Sequence, residues 1–206
     1  MTRALRTPPR PLPPQAHTER PWRIHDIAPD FRLEDVWALD TPGGPEDLDR
    51  VVDLVARSED DAEYPAAYRL LVAIRWRLGA LLGWDREDAS VGTRVTSVRD
   101  RLPADLVASP GSNLGGGPFQ PVFQTREEYV AEIANRTVHA LLHLGWVEDE
   151  SDPGVHRAQL AVLVKANGRL GQGYMAFIKP FRYLIVYPAM LRTIARRWAE
   201  QEVSAA

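Results

Sequence analysis

His139 and His143 are the residues whose type and spacing point most directly to chemistry. Imidazole titrates near neutrality, so a histidine facing a cavity can orient a ligand or act as a general base. On a strand both side chains project to one face, with Cβ atoms about 13 Å apart at a rise of about 3.3 Å per residue. That is too far for joint ligation of one metal ion. On a helix the same spacing would let both rings share zinc, but the protease signature needs Glu directly after the first His. Ala140 stands there, so no metal is expected. Glu132 lies in an otherwise apolar stretch and reads as the partner of a nearby Arg, or as a general acid of raised pKa. Asn135 is placed to hydrogen-bond a ligand carbonyl, or simply to open a turn. Trp146, Tyr174 and Phe177 would line an apolar pocket or fill core. These seven residues form the candidate ligand-binding set.

Other motifs are weaker. Arg99, Asp100 and Arg101 form either a carboxylate clamp or a surface charge cluster. Lys179 and Arg182 flank Pro180 in an apolar segment, where they would snorkel or meet an anionic headgroup. The glycine-rich stretch 109–118 lacks the Walker lysine and reads as a loop over a cavity. The chain has neither a Gly-x-Ser-x-Gly elbow nor a dinucleotide fingerprint nor a calcium loop, so no cofactor is expected. Cysteine is absent from all 206 residues, which excludes disulfides, thiolate metal sites and Cys nucleophiles.

The elements that must position these residues follow from periodicity. Leu33–Leu39 reads as a strand running into the turn Thr41-Pro42-Gly43-Gly44. Leu48, Val51, Val52 and Val55 make one apolar face and predict a helix over 45–57. A second amphipathic helix is predicted over 65–83. Residues 119–124 read as extended, and 129–134 as strand or helix. Residues 138–147 alternate as a strand with one face on the core, His139 and His143 lying on the face opposite Leu142, Leu144 and Trp146. His156–Ala166 predicts another strand. From 171 to 199 apolar residues recur at helical spacing, kinked or divided by Pro180 and Pro188.

Residues 1–21 carry six of the prolines and read as a disordered tail, with the ligand-binding domain spanning 22–200. No apolar stretch follows Arg3 and Arg6, so an export signal is not expected and a cytoplasmic location is. The net charge of −3 argues against nucleic acid as a partner. That total hides a division. Between Asp26 and Glu63 lie 13 acids and three Arg, whereas 153–199 holds eight bases and no acid. Either the two regions meet in the fold, or the second forms a basic face for an anionic partner, including peripheral contact with a membrane.

The order of strand, helices, antiparallel strands and long C-terminal helix resembles the helix-grip proteins of the START-like (SRPBCC) superfamily. Closer wording comes from an uncharacterised bacterial family of unknown function within it. The segments that carry the likeness are Asp30–Trp37, Ile74–Gly79, Arg101–Leu106, Glu132–His139 and Tyr174–Arg182. The resemblance implies an α+β fold, with an antiparallel sheet wrapped around a long C-terminal helix. It implies an apolar or amphipathic small molecule bound between sheet and helix, and no catalytic residue carries over. A polyketide cyclase or dehydratase-like enzyme, with His139 or His143 as base and Glu132 as acid, is the alternative. A peripheral membrane or interaction module built on 174–197 is a third.

Overall fold

The computed structural model describes residues 10–56, 91, 95–113, 119–135, 138–166 and 179–205. The helix predicted over 65–83, together with Tyr174 and Phe177, lies outside them. The elements in chain order are β1 (Arg10–Pro11), α1 (Gln15–Thr18), α2 (Arg23–Ile27), β2 (Arg32–Ala38) and α3 (Leu48–Ala56). After a 3-10 turn over Val98–Arg101 come α4 (Ala104–Val107), β3 (Gln120–Gln124), β4 (Glu128–Ala134), β5 (Val138–Glu148) and β6 (His156–Ala166). A π-helical turn, Arg182–Val186, leads into α5 (Tyr187–Ala205). Pro188 explains that turn: it has no N–H to donate to the carbonyl one helical turn back, so the regular ladder breaks just before the helix proper.

The strands form one six-stranded sheet in the order β1-β2-β6-β5-β4-β3, and every pair is antiparallel. The fold is α+β. Residues 129–134, which left strand and helix open, belong to the strand β4. Its alternation places Tyr129 and Ala131 on one face and Glu128, Val130 and Glu132 on the other.

A sheet with one buried face was expected, but both faces are covered. On the first, Leu144, Trp146, Leu160 and Trp37 pack against Leu48, Val51 and Val52 of α3 and against Tyr187, Leu191, Ile194 and Trp198 of α5. On the second, Val130, Leu141, Ala161, Leu163 and Val36 pack against Trp22, Ile24, Ile27, Phe31, Val98 and Leu106. Strand β5 is therefore buried on both sides, the condition that makes a strand read as a nearly continuous apolar run.

The expectation of a disordered tail over 1–21 needs correction from Arg10 onward. Arg10 and Pro11 pair with Ala38 and Trp37, and the Leu12 amide donates to the Val36 carbonyl at 2.8 Å. His17 is fully buried and Gln159 donates to the Ala16 carbonyl. The prolines do not oppose this, since β1 is an edge strand and Pro13 and Pro14 precede α1, positions where a missing N–H costs little.

No helix among the described residues is long and apolar enough to cross a membrane. The apolar stripe of α5 is spent on the sheet. Arg50 stacks on the Trp198 ring at 4.2 Å, and the Trp198 indole donates to the Pro42 carbonyl at 3.0 Å.

Gly145 marks the closest approach on the second face, because a Cβ there would lie 2.7 Å from the Trp22 ring and 3.1 Å from His143. Gly145→Ala is expected to lower stability by about 1–3 kcal/mol by overpacking. Trp198→Ala, on the first face, is expected to cost about 3–5 kcal/mol. Urea unfolding of both variants checks the pair of values.

Candidate functional site

Two polar clusters are built into the sheet, one on each face. The first grows from the register of β4 and β5. Glu132 stands opposite Leu141 and Ala134 opposite His139, so Glu132 and His139 are diagonal neighbours. Glu128 stands opposite Gly145 and Val130 opposite His143, which repeats the same diagonal. The two carboxylates and the two imidazoles are each four residues apart on their strands. The dyads are thus about 13 Å apart and cannot work on one atom.

His139 Nε2 lies 2.9 Å from Glu132 Oε2, and both side chains are buried. The same oxygen accepts the Val98 amide at 3.0 Å, and Oε1 accepts the Ser97 hydroxyl. Burial raises the Glu132 pKa, but hydrogen bonds from His139, Ser97 and Val98 outweigh it and hold the carboxyl below its ordinary value. His143 Nε2 lies 3.3 Å from Glu128 Oε2. Glu128 Oε1 accepts the Arg23 amide at 2.8 Å, and Oε2 the Ile24 amide at 3.4 Å.

Each carboxylate therefore receives the first amides of a short helical turn as well as a histidine. Those amides have no partner within their own turn, and a carboxylate beside them is stabilised by their aligned dipoles. An Arg was expected as the partner of Glu132; among the described residues the partner is His139.

The second cluster lies on the face that carries α5. Asp35 is buried, and Tyr187 Oη donates to its Oδ2 at 2.7 Å. Arg182 pairs with the same carboxylate and donates to Tyr187 Oη at 2.5 Å. Trp37 packs on Tyr187 and Tyr183 at ring separations of 5.0 and 5.5 Å. Burial pushes the Tyr183 hydroxyl up to about 12, helped by its bond to Asp35, and pushes Tyr187 higher still. Among the described residues, the buried Asp35 Oδ1 and Trp37 Nε1 have no hydrogen-bond partner. Arg182–Asp35 joins the basic C-terminal stretch to the acidic N-terminal one, the first of the two alternatives for the divided charge.

The residues singled out from sequence divide as follows. Glu132 and His139 meet, and His143 meets Glu128. All of these lie on the face away from α5, so none of them lines a space between sheet and C-terminal helix. Asn135 closes the β4–β5 turn, its Oδ1 accepting the Val138 amide at 3.0 Å. Trp146 faces α5, donates to the Gly44 carbonyl at 2.9 Å and packs near Trp198. Arg101 does clamp a carboxylate, but it belongs to Asp30, which also takes Lys165 at 2.8 Å.

Cavities of about 210 and 510 Å³ lie elsewhere, the first beside Thr41, Asp149 and Arg157, the second beside Glu46, Ser109 and Arg126. Among the described residues no group of three or more His, Asp or Glu is arranged to hold a metal ion.

Sequence reasoning missed Glu128, Asp35, Trp37, Tyr183, Tyr187, His17 and His25. A signal existed for Asp35. It alternates with Trp37 on one strand face, and a carboxylate on a buried face demands a cation, which 153–199 supplies in excess.

Compared with known protein families, residues 27–189 match a family described as Protein of unknown function (DUF2867). Neither the curated proteins nor the solved structures gave a match.

Because the Glu132 pKa is lowered on folding, its contribution is complete above the ordinary value of 4.5 and is lost as pH falls through the lower folded value. Glu132→Gln is expected to cost about 1–3 kcal/mol at neutral pH. It is also expected to flatten the loss of stability below pH 4.5, as read by urea unfolding across pH.

Proposed function

The chain belongs to that family of unknown function, and we propose that it is a helix-grip, START-like binding protein for an amphipathic small molecule. The polar group of the ligand sits at the Asp35–Trp37–Arg182 cluster, between the sheet and the start of the C-terminal helix. Supporting the fold reading, β2 is followed by α3, then by antiparallel strands and a helix laid across the sheet, and the long strand β6 returns to pair with β2.

One observation carries the binding reading. Asp35 Oδ1, an acceptor, and Trp37 Nε1, a donor, lie buried on one face of one strand with no hydrogen-bond partner among the described residues. Leaving such a group unsatisfied costs about 1–3 kcal/mol. Trp22 Nε1 and Gln159 Oε1 are also unsatisfied on the other face, but among the described residues only Asp35 and Trp37 stand two residues apart on one strand beside a cation. A hydroxyl or amide on a ligand satisfies both at once. Arg182 supplies positive charge beside them, and the exposed Phe181 and Leu184 supply apolar surface for the rest of the molecule. A π-helical turn at this place fits the tendency of such turns to occur at functional sites.

The acid–base enzyme has less support. Glu132 is held ionised, whereas a general acid must carry a proton. Both candidate bases are buried under Phe31 and Trp22, where no substrate reaches them.

Native mass spectrometry of protein purified from its source, beside Trp37→Phe and Asp35→Asn, tests the proposal. Expected is an additional mass on the wild type that organic extraction removes. Loss of one hydrogen bond worth about 1.4 kcal/mol corresponds to about tenfold weaker retention in Trp37→Phe. A consistently bare wild type, or equal occupancy in all three proteins, would overturn it.

A further inference from the structure

Three of the five histidines form a continuous chain from the protein surface to Glu128. His25 Nε2 lies 3.1 Å from His17 Nδ1, His17 Nε2 lies 3.2 Å from His143 Nδ1, and His143 Nε2 lies 3.3 Å from Glu128 Oε2. The rings meet edge to face, at centroid separations of 4.9 Å for His17–His25 and 4.8 Å for His17–His143. His25 is half-buried, whereas His17 and His143 are fully buried.

The tautomers follow from the acidic end. Ionised Glu128 only accepts, so His143 donates from Nε2 and accepts at Nδ1; His17 then does the same, and so does His25. Three neutral rings thus satisfy every contact in one direction. Two of them, His17 and His25, belong to the segment 10–27, and the third belongs to the sheet. The chain is the titratable part of the polar contact between that segment and the second face, beside the Arg23 and Ile24 amides on Glu128 and Gln159 on the Ala16 carbonyl.

We propose that residues 10–27 are a pH-gated strap, docked on the sheet while the imidazole chain is neutral and released from it in mild acid. The groups around the chain leave little room for positive charge. Within the strap stand Arg10, His17, Glu19, Arg20, Arg23, His25 and Asp26, and Arg23 is taken by Asp105 of α4 at 2.9 Å. On β4 stands Glu128, on β5 His143, and β6 faces the chain with Gln159 and Ala161, which do not titrate.

Of the three rings, only His143 hydrogen-bonds a carboxylate among the described residues, that of Glu128. His17 has an imidazole on each side and, among the described residues, no carboxylate hydrogen-bond partner. Burial first, then repulsion from His143 and His25, lowers His17 from 6.5 to about 3. Burial and His143 also lower His25, against the pull of Glu128 and Asp26. The docked strap keeps both rings neutral, and the released strap lets both take up protons. Docking is therefore complete above pH 6.5 and weakens as pH falls from there towards 3.

Release would uncover the edge of β2, now paired with β1, and the apolar sheet face now under Trp22 and Ile24.

Hydrogen exchange of the full chain, corrected for intrinsic rates, separates strap from domain. Between about pH 7.5 and pH 5, protection of residues 10–27 is expected to fall by up to about a hundredfold per pH unit below the ordinary imidazole value, about tenfold for each proton taken up. Protection of α5 is expected to persist. His25→Gln, at the half-exposed end, is expected to fold and to reduce the slope to about tenfold per unit. His17→Gln tests the buried ring in the same way. Constant protection of 10–27, an unchanged slope in His25→Gln, or parallel loss in α5 would each overturn the proposal.

Discussion

Two carboxylates on the inner face of one strand dictate how the second side of this protein is covered. Glu128 and Glu132 sit where alternation puts core residues, and neither is solvated. A buried carboxylate without partners is prohibitively costly, so each must gather donors from whatever packs above it. A histidine two positions off register on β5 meets part of that need. The rest comes from the first amides of α2 and of the 3-10 turn at Val98. The two segments that cover this face are thereby tied at their starts. The apolar contacts of Trp22, Ile24, Val98 and Leu106 then follow from where those starts are held.

The other face obeys a different logic. Apolar packing of α3 and α5 dominates it, and the buried carboxylate of Asp35 is met by Arg182 and Tyr187 from the turn that begins the C-terminal helix. The partners are side chains rather than helix amides, and one carboxylate oxygen is left over. A face sealed by saturated carboxylates and a face with an unsatisfied one suit different purposes. The first is tied to the segments that cover it, and the second carries the unanswered oxygen on which the proposed ligand reading rests.

Much of the architecture was legible in the residues. Period-two alternation over 138–147 and 156–166 marked β5 and β6, and the 3.6-residue spacing of Leu48, Val51, Val52 and Val55 marked α3. The placement of His139 and His143 on the face opposite Trp146 was legible too, since strand geometry alone imposes it. What covers a face is not written in the strand. Residues 10–21 looked like a tail because their prolines and polar residues carry no period, yet Leu12, His17 and the edge pairing of Arg10–Pro11 tie them down. A single buried histidine in a proline-rich stretch has no local signature. Its meaning lies in a partner 126 positions away.

Sequence by itself determined the local elements, the two-faced character of the central strands and the unequal distribution of charge along the chain. These are short-range properties: dihedral preference, side-chain period and composition act within a few residues. Tertiary structure alone decided which acid meets which base, because hydrogen-bond partners are chosen by register and docking across long separations. The register of β4 against β5 made two His–Glu diagonals where the residues suggested one ligand pocket. The docking of 10–27 turned three scattered imidazoles into one chain. The docking of the C-terminal helix left Asp35 and Trp37 each with an unanswered polar atom.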